Sequence, residues 1–231
     1  MTDLTQIQQQ IGFQFKNSEL LHQSLVHRSF LNENRHQNIN SNERLEFLGD
    51  AILEFWISDT LFHQFPQYEE GDLTNLRALV VCTQNLALIA NSINLGDCIL
   101  LSKGEETHGG RQNQSILADT FEAIIGAIYL DQGIQATKKF LAKLFVPSIN
   151  QISQQKIYKD PKSLFQEIAQ AKQGITPHYE TIREAGPDHN KTFEVGVYLD
   201  NTLITTGSGT SKQRAEESAA IAASKILSKK D

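Results

Sequence analysis

Residues 42–56 read "NERLEFLGDAILEFW". The carboxylates Glu43, Glu46, Asp50 and Glu54 are spaced by three, four and four residues, so a helix projects all four from one stripe. Leu45, Phe47, Leu48, Ala51, Ile52, Phe55 and Trp56 cover most of the remaining helical surface with apolar groups. Like charges at these spacings repel by about 0.2–0.5 kcal/mol per pair even in water. A helix suited to a core thus carries a row of acids that its packing does not require.

A second segment, "SILADTFEAIIGAIYL" at 115–130, repeats the pattern. Its only acids, Asp119 and Glu122, lie three residues apart on an otherwise apolar helix. Gly49 and Gly126 each fall in the middle of one of these helices, where glycine costs about 1 kcal/mol relative to alanine. That cost is explained if the two backbones approach closely there. Glu46, Asp50, Asp119 and Glu122 then converge, and such a cluster either takes up protons or holds a cation. Oxygen donors without histidine or cysteine suit Mg²⁺, with Mn²⁺ as a substitute, rather than zinc. A solvated stripe with Arg or Lys partners would explain one such helix; two point to the cation. Glu54, farther along, reads as solvated. His27, His63 and His108 have no ligand spacing and read as structural or surface groups, and there is no Gly-rich phosphate loop.

A chain of 231 residues with 39% hydrophobic content accommodates one large or two smaller domains with real cores. No run approaches the roughly 18 apolar residues of a membrane span, and "MTDLTQIQQQ" lacks a secretory pattern. Cys82 and Cys98 are the only cysteines and have no metal-ligand spacing, so both read as plain core residues and a reduced, cytoplasmic setting is expected. The net charge of −6 is uneven: residues 1–150 hold 17 acids and 10 bases, residues 151–231 hold 10 and 11. Two units with different electrostatic tasks follow.

Apolar spacing is helical nearly throughout residues 20–145. "SELLHQSLVHRSFL", the Glu43 to Phe65 run, "LTNLRALVVCTQNLALIANSI" and 115–130 are expected as helices, with Asp72 as an N-cap. "LSKGEETHGGRQNQS" is expected as a loop or a poorly ordered segment. The boundaries are 1–146 for an all-α domain, 147–159 for a Ser/Gln-rich linker whose middle is partly helical, and 160–229 for a small α+β domain. The latter reads as α-β-β-β-α: "PKSLFQEIAQAKQ", three strands from "HYETIREAG", "KTFEVGVYLD" and "TLITTGSG", then "SKQRAEESAAIAASKIL". Ala215, Ala219, Ala222 and Ile226 are expected to form its buried face.

"NERLEFLGDAIL", "FPQYEEGDLTNLRA" and "SILADTFEAIIGA" resemble the signature segments of the ribonuclease III family, and the final third is similar to the double-stranded RNA-binding domain of its bacterial members. The resemblance implies a homodimeric helical nuclease domain that cuts both strands of double-stranded RNA, as in rRNA and mRNA processing. It leaves 5′-phosphate and 3′-hydroxyl ends with short 3′ overhangs. Glu46, Asp50, Asp119 and Glu122 match the metal-site carboxylates, with Asp50 and Glu122 closest to the chemistry. Glu43 and Glu70 match acids near the RNA strand, and Phe47 an aromatic of the subunit interface.

In the C-terminal unit Ser163 and Gln166 match positions that reach the minor groove, and "GPDHNKTF", with His189, resembles a loop that enters a neighbouring one. Lys212 and Arg214 open the last helix, where the dipole disfavours cations unless an anion is bound. Such modules span about 16 bp and read shape rather than sequence. Gln213 departs from the family, which usually has a second consecutive base there. Two other readings are a non-catalytic RNA-binding relative, which loss of a metal-site acid would favour, and a small-molecule metallophosphohydrolase, which leaves the C-terminal unit without a task.

Overall fold

The computed structural model describes residues 4–34, 36, 39–155, 160–187 and 191–228. Contacts divide the chain into two units, Met1–Tyr158 and Lys159–Asp231. Helices of the first are α1 (Leu4–Ile11), α2 (Ser18–Ser24), α3 (Arg28–Glu33), α4 (Glu43–Gln64), α5 (Glu70–Val81), α6 (Thr83–Ser92), α7 (Lys103–Thr107) and α8 (Gln114–Gln155). Helix α4 lies against α8 in the centre. Leu53, Trp56, Ile57 and Leu61 meet Leu117, Phe121, Ile124 and Ile128, and Trp56 sets its edge against Phe145.

The closest approach of α4 and α8 is at two glycines. A Cβ on Gly49 would overlap the Glu122 carbonyl oxygen and lie 2.6 Å from its carbon. One on Gly126 would overlap the Leu45 carbonyl oxygen. Backbone therefore touches backbone, and the acids flanking each glycine are carried to the same place.

Several expected helices are broken by long-range contacts. "SELLHQSLVHRSFL" is not continuous: Val26 forms a parallel bridge with Leu100, and its carbonyl accepts from the Asn42 N–H at 2.8 Å. The His27 ring then caps α3 by accepting from the Ser29 N–H at 3.3 Å. The 73–93 helix bends by 48° between α5 and α6, where Cys82 is extended and the Asn85 amide donates to the orphaned Val80 carbonyl. Asp72 is not the cap of α5; Glu69 holds that position and Asp72 sits in the first turn, where the dipole favours it. The 101–115 stretch is more ordered than expected: Ser102 caps α7, and Arg111 donates to the carbonyls of Gly96, Asp97 and Ile99.

Residues 147–155, expected within a linker, continue α8. The break in α8 lies instead at Gly133, with φ of 76°. Beyond it Phe145 and Ile149 are fully buried, and Ser148 and Asn150 bond to Asn85 and Gln64. This packing outweighs the hydrogen bond that Pro147 forgoes. The rest of that linker, 156–159, lies outside the described residues. Among the described residues no single helix is long and apolar enough to cross a membrane.

The second unit has the order α9 (Pro161–Gln173), β1 (His178–Ala185), β2 (Thr192–Leu199), β3 (Thr202–Gly209) and α10 (Lys212–Ser228). Its antiparallel sheet runs β1-β2-β3. Asp160 caps α9 by accepting from the Lys162 and Ser163 N–H groups, and Asp200 at φ 49° turns β2 into β3. Phe165, Ala169, Val197, Leu199, Ala219, Ala220, Ala223 and Leu227 form the core. The buried face of α10 is therefore rotated from the expected one: Ala215 and Ala219 are inside, whereas Ile226 is 38% exposed. Gly207 seats the part of that face that is as expected, since a Cβ there would lie 2.7 Å from Ala219 Cα, whereas the later turns bury Ala220, Ala223 and Leu227.

Candidate metal centre and RNA-facing surfaces

One helical turn separates Glu46 from Gly49, and one turn separates Glu122 from Gly126. The glycine contact accordingly brings Glu46, Asp119 and Glu122 together: one oxygen from each lies within 4.8 Å of the others. Asp50, the fourth expected member, is outside that triad and exposed, yet its charge acts directly on Glu122. Burial, followed by repulsion from Asp50, Asp119 and Glu46, pushes the Glu122 carboxyl up to about 8. Burial and the Asp119 charge raise Glu46. Burial also raises Asp119, against the opposing pull of His27 and Arg28.

None of the three has a lysine or arginine within ion-pair distance among the described residues. Charge that burial and mutual repulsion disfavour is the condition a divalent cation relieves, and an all-carboxylate oxygen set fits Mg²⁺. Asn42, which lines the neighbouring cleft, also has a buried Nδ2 with no hydrogen-bond partner among the described residues.

Glu46 and Asp119 of the triad border a cleft of about 800 Å³. Glu43 stands in it, 3.7 Å from Arg28 and accepting from Ser41 Oγ at 2.8 Å. His27, Arg28, Asn32, Asn113 and Glu105 line it as well. Sequence reasoning passed over these five. His27 looked structural because no ligand spacing marks it, and it is both a helix cap and a cleft residue, held below its ordinary pKa by burial. Glu70 is not in this cleft; it is exposed at the start of α5 and accepts from Thr74 Oγ1. Glu54 pairs with Arg77 at 3.3 Å. Phe47 is 81% exposed, and Phe55 and Phe62 share its side of α4 at 58% and 67%.

In the second unit Ser163 and Gln166 share a cleft of about 510 Å³ with Gln213 and Glu217. Lys212 Nζ bonds to Glu184 at 2.9 Å, which holds the Glu184 carboxyl below its usual range. The Arg214 N–H is capped by Ser211 Oγ, and its guanidinium reaches Thr210 Oγ1 at 3.2 Å. His189 lies outside the described residues.

The family described as Ribonuclease-III-like matches residues 17–149, and the double-stranded RNA binding motif matches 161–227. A protein named Ribonuclease 3 from Pelotomaculum thermopropionicum is 43% identical over 228 residues, covering 99% of this chain and 93% of its own. Another of that name from Anoxybacillus flavithermus is 46% identical over 215 residues, 93% and 90% of the two chains. The crystal structure of the nuclease domain of ribonuclease III from Campylobacter jejuni matches with a TM-score of 0.58 at 43% identity, covering 64% of this chain and 97% of that one. A helical unit whose two acidic helices cross at glycines, followed by an α-β-β-β-α unit, thus has full-length relatives, and the chain belongs to the ribonuclease III family.

Proposed function

We propose that this chain is a divalent-metal-dependent endoribonuclease that hydrolyses phosphodiesters on both strands of double-stranded RNA. The observation that carries the reading is the convergence of Glu46, Asp119 and Glu122 at the Gly49–Gly126 crossing. Those three acids would hold the ion, with the exposed Asp50 adding its charge to theirs. When bound, Mg²⁺ lowers the pKa of a water and stabilises the departing 3′-oxyanion. Products carry 5′-phosphate and 3′-hydroxyl ends.

The chain's own residues prepare that chemistry. The glycine contact fixes the spacing of the acids, and a bound cation would favour the charged form of Glu122 that burial disfavours. A cation also reverses the repulsion between an acidic cleft and a polyanion. The cleft beside the triad, with Arg28 and neutral Asn32 and Asn113, receives one RNA strand. The second unit supplies duplex affinity through Ser163, Gln166, Lys212 and Arg214. Cutting both strands takes two centres, and the exposed row Phe47, Phe55 and Phe62 on α4 is the surface through which two chains pair. A cytoplasmic place in rRNA and mRNA processing is consistent with this chemistry.

The test compares a long RNA duplex, its separated strands and a DNA duplex of the same sequence, each with Mg²⁺ or with EDTA. Cutting confined to the RNA duplex with Mg²⁺ supports the reading. Cleavage that persists in EDTA, or that prefers single strands, refutes it.

A further inference from the structure

Gln213 stands where related modules usually carry a base, and its surroundings give the substitution a consequence. In the cleft that Ser163 and Gln166 border, Gln213 Nε2 donates to Glu217 Oε1 at 2.9 Å, one helical turn along α10. Lysine or arginine does not approach Glu217 within ion-pair distance among the described residues. The cation that does line the cleft, Lys162, is occupied: its Nζ bonds to Glu216 at 2.6 Å and lies 4.9 Å above the Tyr179 ring. The other acid there, Asp160, is engaged as the cap of α9, accepting from Ser163 Oγ as well as two backbone N–H groups.

We infer that Glu217 sets the double-stranded RNA affinity of the C-terminal unit below what the surrounding residues would give, by placing an uncompensated carboxylate in the RNA-facing cleft and engaging the Gln213 amide. The inference rests on the proposed function, in which the Ser163–Gln166 side of the unit meets the duplex. The partner is the phosphate backbone of that duplex. A like charge next to a phosphate disfavours binding by about fivefold, the factor Coulomb's law gives for two unit charges about 4 Å apart in water. Salt screens this repulsion, because the Debye length contracts from about 10 Å at 0.1 M to about 3 Å at 1 M. Glu217 therefore matters most at low ionic strength. Arg214, whose guanidinium meets the Thr210 hydroxyl rather than a carboxylate, is the cation at the start of α10 that is ready for phosphate; Lys212 must first exchange Glu184 for it.

The experiment measures binding of the full chain to a short RNA duplex in EDTA, where hydrolysis is blocked, over a range of salt. Glu217→Gln is expected to tighten binding about fivefold at low salt, with the gain shrinking as salt rises. Glu180→Gln, which removes the same charge from β1 outside the cleft, is expected to change binding little, and Gln166→Ala to weaken it. Unchanged or weaker binding by Glu217→Gln, with Gln166→Ala still weakened, overturns the inference and leaves the RNA-facing surface intact. Equal tightening by Glu217→Gln and Glu180→Gln overturns it in favour of net charge. If Gln166→Ala and Glu217→Gln both bind as the native chain does, the placement of the RNA on this surface fails as well.

Discussion

Gly49→Ala tests the helix crossing from which everything at the proposed metal centre follows. The added methyl would overlap the Glu122 carbonyl oxygen and sit 2.6 Å from its carbon and 3.0 Å from the Gly126 nitrogen, where ordinary Cβ contacts begin at 3.4 Å. All three obstacles are backbone, so no rotamer relieves them and α4 must withdraw from α8 by about 1 Å. Overpacking of this kind costs about 1–3 kcal/mol, and the helix propensity gained from glycine to alanine returns about 1 kcal/mol at most. We expect a net loss of about 1–2 kcal/mol in urea unfolding followed by circular dichroism. The obstructed atom belongs to Glu122 itself, so the withdrawal also spreads the carboxylate triad. Mn²⁺ affinity, read by calorimetry, should fall about tenfold or more, since metal sites tolerate only about 0.2 Å of error in ligand distance. Gly71→Ala is the control: nothing lies within 4 Å of a Cβ there. Native stability and native Mn²⁺ affinity in Gly49→Ala would refute the reasoning.

Metal-free protein should lose stability as pH rises. Glu122 is raised to about 8 in the folded chain against an ordinary 4.5, so between those values the folded state binds more protons than the unfolded one. Stability is then fully present below about 4.5 and falls until about 8. Glu122→Gln should flatten that slope in urea melts taken across this range, and an unchanged slope would count against the burial described. Removing the second unit should leave RNA duplex cutting at low salt but make activity fall at lower salt than in the full chain, because fewer phosphate contacts remain. Equal salt profiles would give that unit another task. Phe47→Asp should convert a dimer to a monomer in light scattering, and a persisting dimer would place the interface elsewhere.

The convergence of Glu46, Asp119 and Glu122 was legible in the sequence because the pattern behind it lies within two segments. Acids on two apolar helices, each with an interior glycine, admit few explanations, and the crossing at Gly49 and Gly126 is where that pattern places it. The strands were legible from alternation. What escaped was set by distant contacts. Val26 leaves the helix to pair with Leu100, seventy-four residues on, and no local preference announces that bridge. Pro147 looked like a stop, but Ile149 and Asn150 are held by packing and by Gln64. The later turns of α10 bury Ala220, Ala223 and Leu227 and leave Ile226 out, a fit against the sheet that is invisible from the helix's own periodicity. Asp50 shares the acidic stripe with Glu46 yet stands outside the triad, since the crossing angle, which spacing does not encode, decides which carboxylates meet.

The most direct test of the central claim is single-turnover cleavage of an end-labelled RNA duplex by Glu122→Gln in Mg²⁺, with binding measured on the same duplex in EDTA. The substitution keeps the shape of the side chain and removes one charge from the triad. Affinity should stay close to native, because the contacts with groove and phosphates lie elsewhere. The cleavage rate should fall by about 10²–10³, the scale seen when one preorganised stabilising group is lost from an active site. Native-rate cleavage by Glu122→Gln would mean that the acids gathered at the α4–α8 crossing are not where the phosphodiester is cut.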